Sequence, residues 1–106
     1  IVGPELIEAM ERAPIVVNTS RGPLVDCEAA LAGLESGKLG GVALDVTEPE
    51  PLPDGHPLRT HPRAIVTPHM AFYSVEAEAD LQSRAADEVA RYFGGEPPRS
   101  PVNQPA

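Results

Sequence analysis

The alternation of short apolar runs with helical segments is the feature that most restricts the fold of this chain. Three runs indicate strands: "IVVN" at 15–18, "GGVALDV" at 40–46 and the short "AIVTP" at 64–68. The first is continuously apolar, as in a strand buried on both faces, and the second is also expected to be buried. Helical segments precede the first run, separate the first two runs and follow the third. Strands that alternate with helices are typical of a parallel sheet with right-handed crossovers. We therefore expect an α/β fold.

Capping signals predict where the helices begin and end. Pro4 favours the first turn of a helix over 4–12, because a residue in that turn needs no backbone N–H. Asp26 is a favourable N-cap for a second helix, and Gly37 predicts its end. Ser74 begins a long third helix that we expect to stop at Gly94.

A polar loop follows each of the three predicted strands. These loops are "NTSRG", "VTEPEP" and "PHMAFYS", and they contain Arg21, Glu50 and His69, respectively. Ligands of open parallel sheets bind at the carboxyl ends of the strands. We therefore expect the three loops to lie on one rim and to form the functional site.

The three titratable residues of this rim have complementary chemistry. An arginine binds a carboxylate through two parallel contacts. A histidine exchanges its proton near neutral pH, and a nearby glutamate stabilises the imidazolium. Reduction of a 2-keto acid, or oxidation of a 2-hydroxy acid, needs such a proton donor beside an anion clamp. Each residue alone is more often a surface charge or a structural group, as we expect for His56 and His61, so the combination carries the signal.

The composition excludes several classes of partner. The formal net charge is -8, and an acidic surface repels nucleic acids and is not attracted to anionic membranes. The apolar runs are far shorter than the roughly 20 residues that cross a bilayer. Cys27 is the single cysteine, which is typical of a protein of the reducing cytoplasm. Because the chain starts "IVGPELIEAM" without Met, we expect a fragment of a longer protein.

The order of four motifs makes the chain recognisable: "N-x-S-R-G", "G-x-A-L-D-V", "E-P" and "T-P-H". From "GPELIEAM" to "PVN" the chain resembles the D-isomer-specific 2-hydroxyacid dehydrogenases, and "PHMAFYS" is most similar to their C-terminal-binding-protein-like branch. The resemblance implies the C-terminal portion of a Rossmann-like parallel sheet with flanking helices, ending in a long helix and an extended tail. Residues 1–73 would be the C-terminal part of a nucleotide-binding domain. Residues 74–106 would be a helix and Pro-rich tail that return towards an absent substrate domain.

The resemblance also implies roles for individual residues. Arg21 corresponds to the substrate-binding catalytic arginine and His69 to the catalytic acid/base. "EPLP" at 50–53 favours Glu50 over Glu48 as the carboxylate partner of the histidine. Asp45 corresponds to the aspartate that accepts a hydrogen bond from the nicotinamide carboxamide. The other residues expected to contact the cofactor are Thr19, Ser20, Arg21, His69 and Ala71.

The resemblance implies NAD as the cofactor, a small 2-keto or 2-hydroxy acid as the substrate, and no metal ion. The chain contains no G-x-G-x-x-G, since "SGKLGG" at 36–41 has the wrong spacing and the wrong place. We therefore expect the catalytic residues without the Gly-rich loop that binds a pyrophosphate. Two alternatives stay open: a non-catalytic NAD(H)-sensing regulator of the C-terminal-binding-protein type, and an acidic interaction module whose rim residues have no role.

The long third helix has apolar residues that a substrate domain would cover in this family. Without that domain we expect these residues to be exposed, and exposed apolar surface favours association. The chain is therefore expected to form a homo-oligomer, such as a homodimer.

Overall fold

The computed structural model describes residues 1–103 of the 106-residue chain. These residues form two compact units, one of residues 1–71 and one that starts at Phe72. The first unit contains a sheet with helices, and the second contains one long helix and the segment that follows it.

The sheet of the first unit has three short parallel strands. They are β1 (Ile15–Asn18), β2 (Gly41–Leu44) and β3 (Ala64–Val66), in the spatial order β1-β2-β3. A helix connects β1 to β2, whereas the β2–β3 connection is a loop with one 3-10 turn at Pro57–Arg59. The predicted α/β class with a parallel sheet is confirmed.

The two faces of the sheet differ in burial. Val42 and Leu44 of β2 are 2% and 1% exposed and belong to the hydrophobic core. On the other face Ile15, Val17 and Ile65 are 71%, 65% and 65% exposed. The expectation that β1 is buried on both faces is therefore wrong, because the core of residues 1–71 lies on one side of the sheet only.

The first two helices pack against each other. Helix α1 (Pro4–Glu8) is shorter than the predicted helix over 4–12, because the backbone N–H of Met10 bonds the Ile7 carbonyl in a closing turn. Helix α2 (Cys27–Ser36) starts and ends as predicted. The Asp26 carboxylate caps its first turn at 2.9 Å from the Ala29 nitrogen, and Gly37 ends it with a φ of 79°.

The core lies between α2 and the covered face of the sheet. Leu34 of α2 and Leu39 after it are fully buried. Arg63, immediately before β3, donates hydrogen bonds to the carbonyl groups of Leu34 and Leu39. This side chain therefore fastens the end of α2 to the start of β3.

The second unit contains helix α3 (Val75–Phe93), which starts and ends as predicted. The Ser74 hydroxyl caps its first turn, 3.0 Å from the Ala77 nitrogen. No residue of α3 is buried. Residues 94–103 contain no helix or strand, and the last three residues of the predicted extended tail lie outside the described residues. None of the helices within residues 1–103 combines the length and the apolar character needed to cross a membrane.

The apolar side chains of α3 lie on one half of the helix. Leu81, Val89 and Tyr92 follow each other at spacings of eight and three residues, which places them on the same side. They are 63%, 57% and 74% exposed. This apolar surface is available to a partner.

We expect the protein to self-associate through the apolar half of α3, since pairing of two copies removes this surface from water. Sedimentation should show dimers or larger species at high protein concentration, and Leu81→Asp should shift them towards the monomer. Ser83→Asp, a change on the polar half of the same helix, should leave the association intact. A monomer at every concentration would contradict this expectation.

Candidate active site

The structure joins a histidine and a glutamate from two different loops at the carboxyl edge of the sheet. The His69 Nδ1 atom lies 2.7 Å from the Glu50 Oε1 atom, and the two side chains are 46% and 40% exposed. This contact directs the Nε2 atom of the imidazole away from the glutamate. The pair therefore has the geometry of a carboxylate-supported acid/base, with one ring nitrogen turned to another partner.

The structure also separates the two glutamates between which the sequence left a choice. Glu50 lines a cavity of about 540 Å³ together with His69, whereas Glu48 lines a second cavity that contains Cys27. Burial is the main cause of the raised pKa of the Cys27 thiol, although a hydrogen bond from the Glu48 backbone opposes it. Of the two carboxylates, the one at position 50 is placed beside the histidine.

The backbone of His69 has an unusual conformation that its neighbours hold. Its φ is 52°, in the left-handed region that a residue with a Cβ rarely adopts. The His69 N–H donates to the Asp45 carbonyl at 2.9 Å. The Asp45 Oδ1 atom accepts hydrogen bonds from the Thr67 hydroxyl at 2.6 Å and from the Met70 N–H at 2.8 Å, and Oδ2 accepts the Ala71 N–H at 2.9 Å. One aspartate therefore braces the loop on both sides of the histidine.

These contacts also lower the pKa of Asp45. The hydrogen bond from the Thr67 hydroxyl is the largest cause, while burial acts in the opposite direction. The Ala71 and Met70 N–H groups, and the positive charge of a protonated His69, add to the lowering of the pKa. Asp45 is thus a braced carboxylate in the structure, and the contact to a nicotinamide carboxamide stays a prediction.

The loop after β1 is organised by Asn18, a residue that the sequence analysis did not single out. Its side chain is buried, accepts the Ser20 N–H at 3.1 Å and donates to the Arg21 carbonyl at 2.9 Å. The sequence feature that indicates this role of Asn18 is the tendency of asparagine to form an Asx turn at the end of a strand. Position 22 requires a glycine, because a Cβ there would collide with the Thr47 carbonyl group.

Arg21 is exposed and does not line the cavity that contains the acid/base pair. Its Nη1 atom donates to the carbonyl of its neighbour Ser20 at 2.7 Å. Thr19 and Ser20 are exposed as well and also lie outside that cavity. The structure therefore brings His69, Glu50 and Asp45 together and leaves the arginine loop beside them.

The cavity contains a different arginine, Arg59, which the sequence analysis missed. Its Nη1 atom donates to the Leu52 carbonyl at 2.9 Å. Since Arg59 is nine positions after Glu50 in a polar loop, no motif or periodicity indicated it.

The other two histidines have structural contacts, in agreement with expectation. His56 accepts the Leu58 N–H on Nδ1, and its Nε2 lies 3.3 Å from the Glu28 carboxylate. His61 accepts the Arg63 N–H on Nδ1. Within residues 1–103, His, Cys, Asp and Glu side chains form no group of three or more that could hold a metal ion.

Comparison with known proteins assigns the family. The sequence profile described as "D-isomer specific 2-hydroxyacid dehydrogenase, NAD binding domain" matches residues 1–71. The chain belongs to this family. It is 36% identical over 104 residues to a glyoxylate reductase of Thermofilum pendens, a match that covers 98% of this chain and 31% of the relative.

Solved structures of similar proteins have the same fold. The TT0316 protein of Thermus thermophilus superposes with a TM-score of 0.83 at 40% identity, over 95% of this chain and 32% of that protein. The NADPH-dependent glyoxylate/hydroxypyruvate reductase of Sinorhizobium meliloti was solved with NADP and sulfate. It superposes with a TM-score of 0.81 at 32% identity, over 93% of this chain and 32% of the reductase. The chain spans about a third of the length of the relatives that it matches.

The lowered pKa of Asp45 predicts a specific loss of stability in acid. Between this lowered pKa and the ordinary value of about 3.9, the unfolded chain binds a proton that the folded chain does not. The contribution of Asp45 is therefore fully present above about pH 4 and is lost as the pH falls through the pKa of the folded state. Urea unfolding at a series of pH values gives the free energy of unfolding as a function of pH, and its fall below about pH 4 is the acid limb of that curve. Asp45→Asn should lower the free energy of unfolding at neutral pH and make the acid limb less steep.

The control for this measurement is Asp54→Asn, because the Asp54 carboxylate is fully exposed. This variant should keep the acid limb of the wild-type protein. An Asp45→Asn curve that coincides with the wild-type curve would show that the brace does not stabilise the fold.

Proposed function

We propose that this chain carries the proton-transfer half of an active site that interconverts 2-keto acids and D-2-hydroxy acids. The observation that carries the proposal is the 2.7 Å contact between His69 and Glu50 at the carboxyl edge of a parallel sheet. Such an edge is where open α/β sheets bind their ligands. The family, and relatives described as glyoxylate reductase and glycerate dehydrogenase, agree with this substrate class.

The proposed cofactor is NAD(H), which supplies or accepts the hydride when bound. The residues present fit its nicotinamide end, since Asp45 offers a buried carboxylate whose Oδ2 atom accepts a single hydrogen bond within the described residues. A carboxylate oxygen can accept a second one, such as that of a carboxamide N–H. The G-x-G-x-x-G loop that binds a pyrophosphate is not part of these 106 residues. The chain therefore fits one end of the cofactor.

The acid/base step belongs to His69. During reduction its Nε2 atom donates a proton to the keto oxygen, and during oxidation it removes the proton of the hydroxyl group. Glu50 holds the ring through Nδ1 and stabilises the imidazolium that carries the transferred proton. The brace from Asp45 fixes the position of the histidine backbone, so the imidazole is oriented before substrate binds.

The proposed role of Arg21 is to bind the carboxylate of the substrate. Its guanidinium is exposed, and the neighbouring carbonyl that it contacts is a weak competitor for a carboxylate. Two parallel N–H···O contacts would orient the acid and leave its keto group for proton and hydride transfer. A second copy of the protein is a further proposed partner, through the apolar half of α3.

The acid/base and clamp roles predict different kinetic defects in the complete protein. His69→Ala should lower kcat by about 10²–10⁴-fold with a smaller effect on KM, because positioned acid/base catalysis is lost. Arg21→Lys should raise KM and lower kcat together while NADH binding is retained, because the charge stays and the two-point fork is lost. Glu50→Gln should lower kcat, because the imidazolium that carries the transferred proton loses its neighbouring negative charge.

Glu48→Gln is the matched control for these measurements, and its kcat should equal that of the wild-type protein. A loss of kcat in Glu48→Gln and not in Glu50→Gln would assign the carboxylate role to the other residue. An Arg21→Lys variant with wild-type kinetics would show that the clamp lies elsewhere. A complete protein that binds NADH without turning over any 2-keto acid would favour the NAD(H)-sensing regulator.

The 106-residue chain alone should have no dehydrogenase activity. Hydride transfer requires a cofactor that is held at both ends, and this chain has no Gly-rich loop for the pyrophosphate. The measurement is NADH oxidation with glyoxylate, hydroxypyruvate and pyruvate. Clear turnover would show that these residues hold the cofactor without that loop.

A further inference from the structure

Arg59 lies in the wall of the cavity that contains the acid/base pair, and nothing in the family motifs of this chain points to it. It is the last residue of the 3-10 turn Pro57–Arg59, and its side chain is 43% exposed. Its Nη1 atom donates a hydrogen bond of 2.9 Å to the Leu52 carbonyl. Leu52 is two positions after Glu50, so this contact acts on the loop that carries the catalytic carboxylate.

The loop that carries Glu50 has no helix or strand to hold it. Glu50 and the prolines on both sides of it are exposed, whereas Leu52 is only 3% exposed. Before Glu50, the Thr47 hydroxyl donates to the Pro49 carbonyl at 2.9 Å. After Glu50, the contact from Arg59 holds the Leu52 carbonyl. The backbone is therefore held by one hydrogen bond before Glu50 and by another after it, and Arg59 donates the second.

We propose that Arg59 is a positioning residue for the acid/base pair: its hydrogen bond to Leu52 keeps the Glu50 carboxylate within reach of the His69 imidazole. The proposal rests on the function proposed above for that pair. A hydrogen bond from a guanidinium is stronger than one between neutral groups. A displacement of about 1 Å in an active site can cost about 10²-fold in rate, so a small movement of this loop is enough to matter.

The other polar contact of Arg59 does not explain its position. The Arg59 Nη2 atom lies 3.5 Å from the carboxylate of Asp54, which is fully exposed. Ion pairs of this kind contribute little, because solvent screens them and both side chains lose conformational freedom. Asp54→Asn is therefore a control that removes the ion pair and keeps the contact to Leu52.

Arg63 provides a second, matched control. It also donates hydrogen bonds to backbone carbonyls, those of Leu34 and Leu39, but it does not line the cavity. Arg63→Met removes an arginine with the same kind of structural contact, outside the site. Any effect that Arg59→Met shares with Arg63→Met is an effect on folding, and any effect that it alone produces concerns the site.

The first measurement is independent of turnover. A neutral His69 that donates to the Glu50 carboxylate carries its proton on Nδ1, whereas an imidazole without this partner favours the proton on Nε2. The ¹⁵N chemical shifts of the ring report which nitrogen is protonated. We expect the Nδ1–H form to predominate in the wild-type protein, in Asp54→Asn and in Arg63→Met, and to decrease in Arg59→Met. Arg59→Lys, which can donate one hydrogen bond to Leu52, should restore part of it.

The second measurement uses kinetics of the complete protein. Arg59→Met should lower kcat by up to about 10²-fold with a small change in KM. In a Glu50→Ala background the same change should add little, because a residue that acts through Glu50 has nothing left to position. A complete wild-type protein that turns over no 2-keto acid would refute the proposed function. The ¹⁵N chemical shifts of His69 would still test the positioning role of Arg59.

Three results would overturn the positioning role. The first is an unchanged imidazole tautomer in Arg59→Met. The second is a rise in KM that adds fully to the effect of Glu50→Ala, because it would make Arg59 a direct binder of the substrate anion. The third is an equal tautomer change in Arg63→Met, because it would make the effect a general loss of stability.

Discussion

Four hydrogen bonds from residues 67–71 converge on Asp45 at the end of β2. Three of them end on its carboxylate and one on its carbonyl, and together they hold His69 at a φ of 52°. A backbone conformation that is unfavourable for a residue with a Cβ persists only when its surroundings determine it fully. The position of the His69 backbone, and with it the direction of the imidazole, therefore depends on this aspartate.

Glu50, the partner of His69, is also held in place by hydrogen bonds to its surroundings. Glu50 lies in an exposed loop, and the contacts at Pro49 and Leu52 fix the backbone on both sides of it. A side chain with several rotatable bonds is most useful as an acid/base partner when its backbone is held. In this chain Glu50 and His69 follow different strands, and separate hydrogen bonds hold the backbone near each of them.

The loop after β1 has a more open arrangement. Asn18 fixes its backbone from a buried position, and Gly22 allows close contact with the loop after β2. The Arg21 guanidinium remains exposed, with a contact to its own neighbour. In the proposed function this exposed guanidinium would bind the carboxylate of a small acid beside the His69–Glu50 pair. Parallel sheets are generally covered on both faces, whereas Ile15, Val17 and Ile65 are exposed on one face of this sheet.

Much of the fold was predictable from the sequence because its signals are local. Alternating apolar runs and helical segments predict the parallel α/β class, and the caps at Asp26, Gly37 and Ser74 predict where helices start and stop. The family motifs likewise identify His69 and leave Glu50 as the favoured carboxylate. The short α1 and the exposed face of β1 were not predictable in this way, since both depend on which elements pack nearby.

The tertiary structure alone decided which side chains meet. The contacts from Asp45 to residues 67–71 and from Arg59 to Leu52 join segments whose sequence has no recognisable signal of pairing. They depend on the register of parallel strands and on the path of a long loop, which bring distant positions within about 3 Å, the length of a hydrogen bond. The amino-acid sequence therefore specifies the class of fold and the types of chemical groups at the sheet edge. Their geometry, including the place of Arg59 in the cavity wall, follows from packing between segments and from the path of the loop after β2.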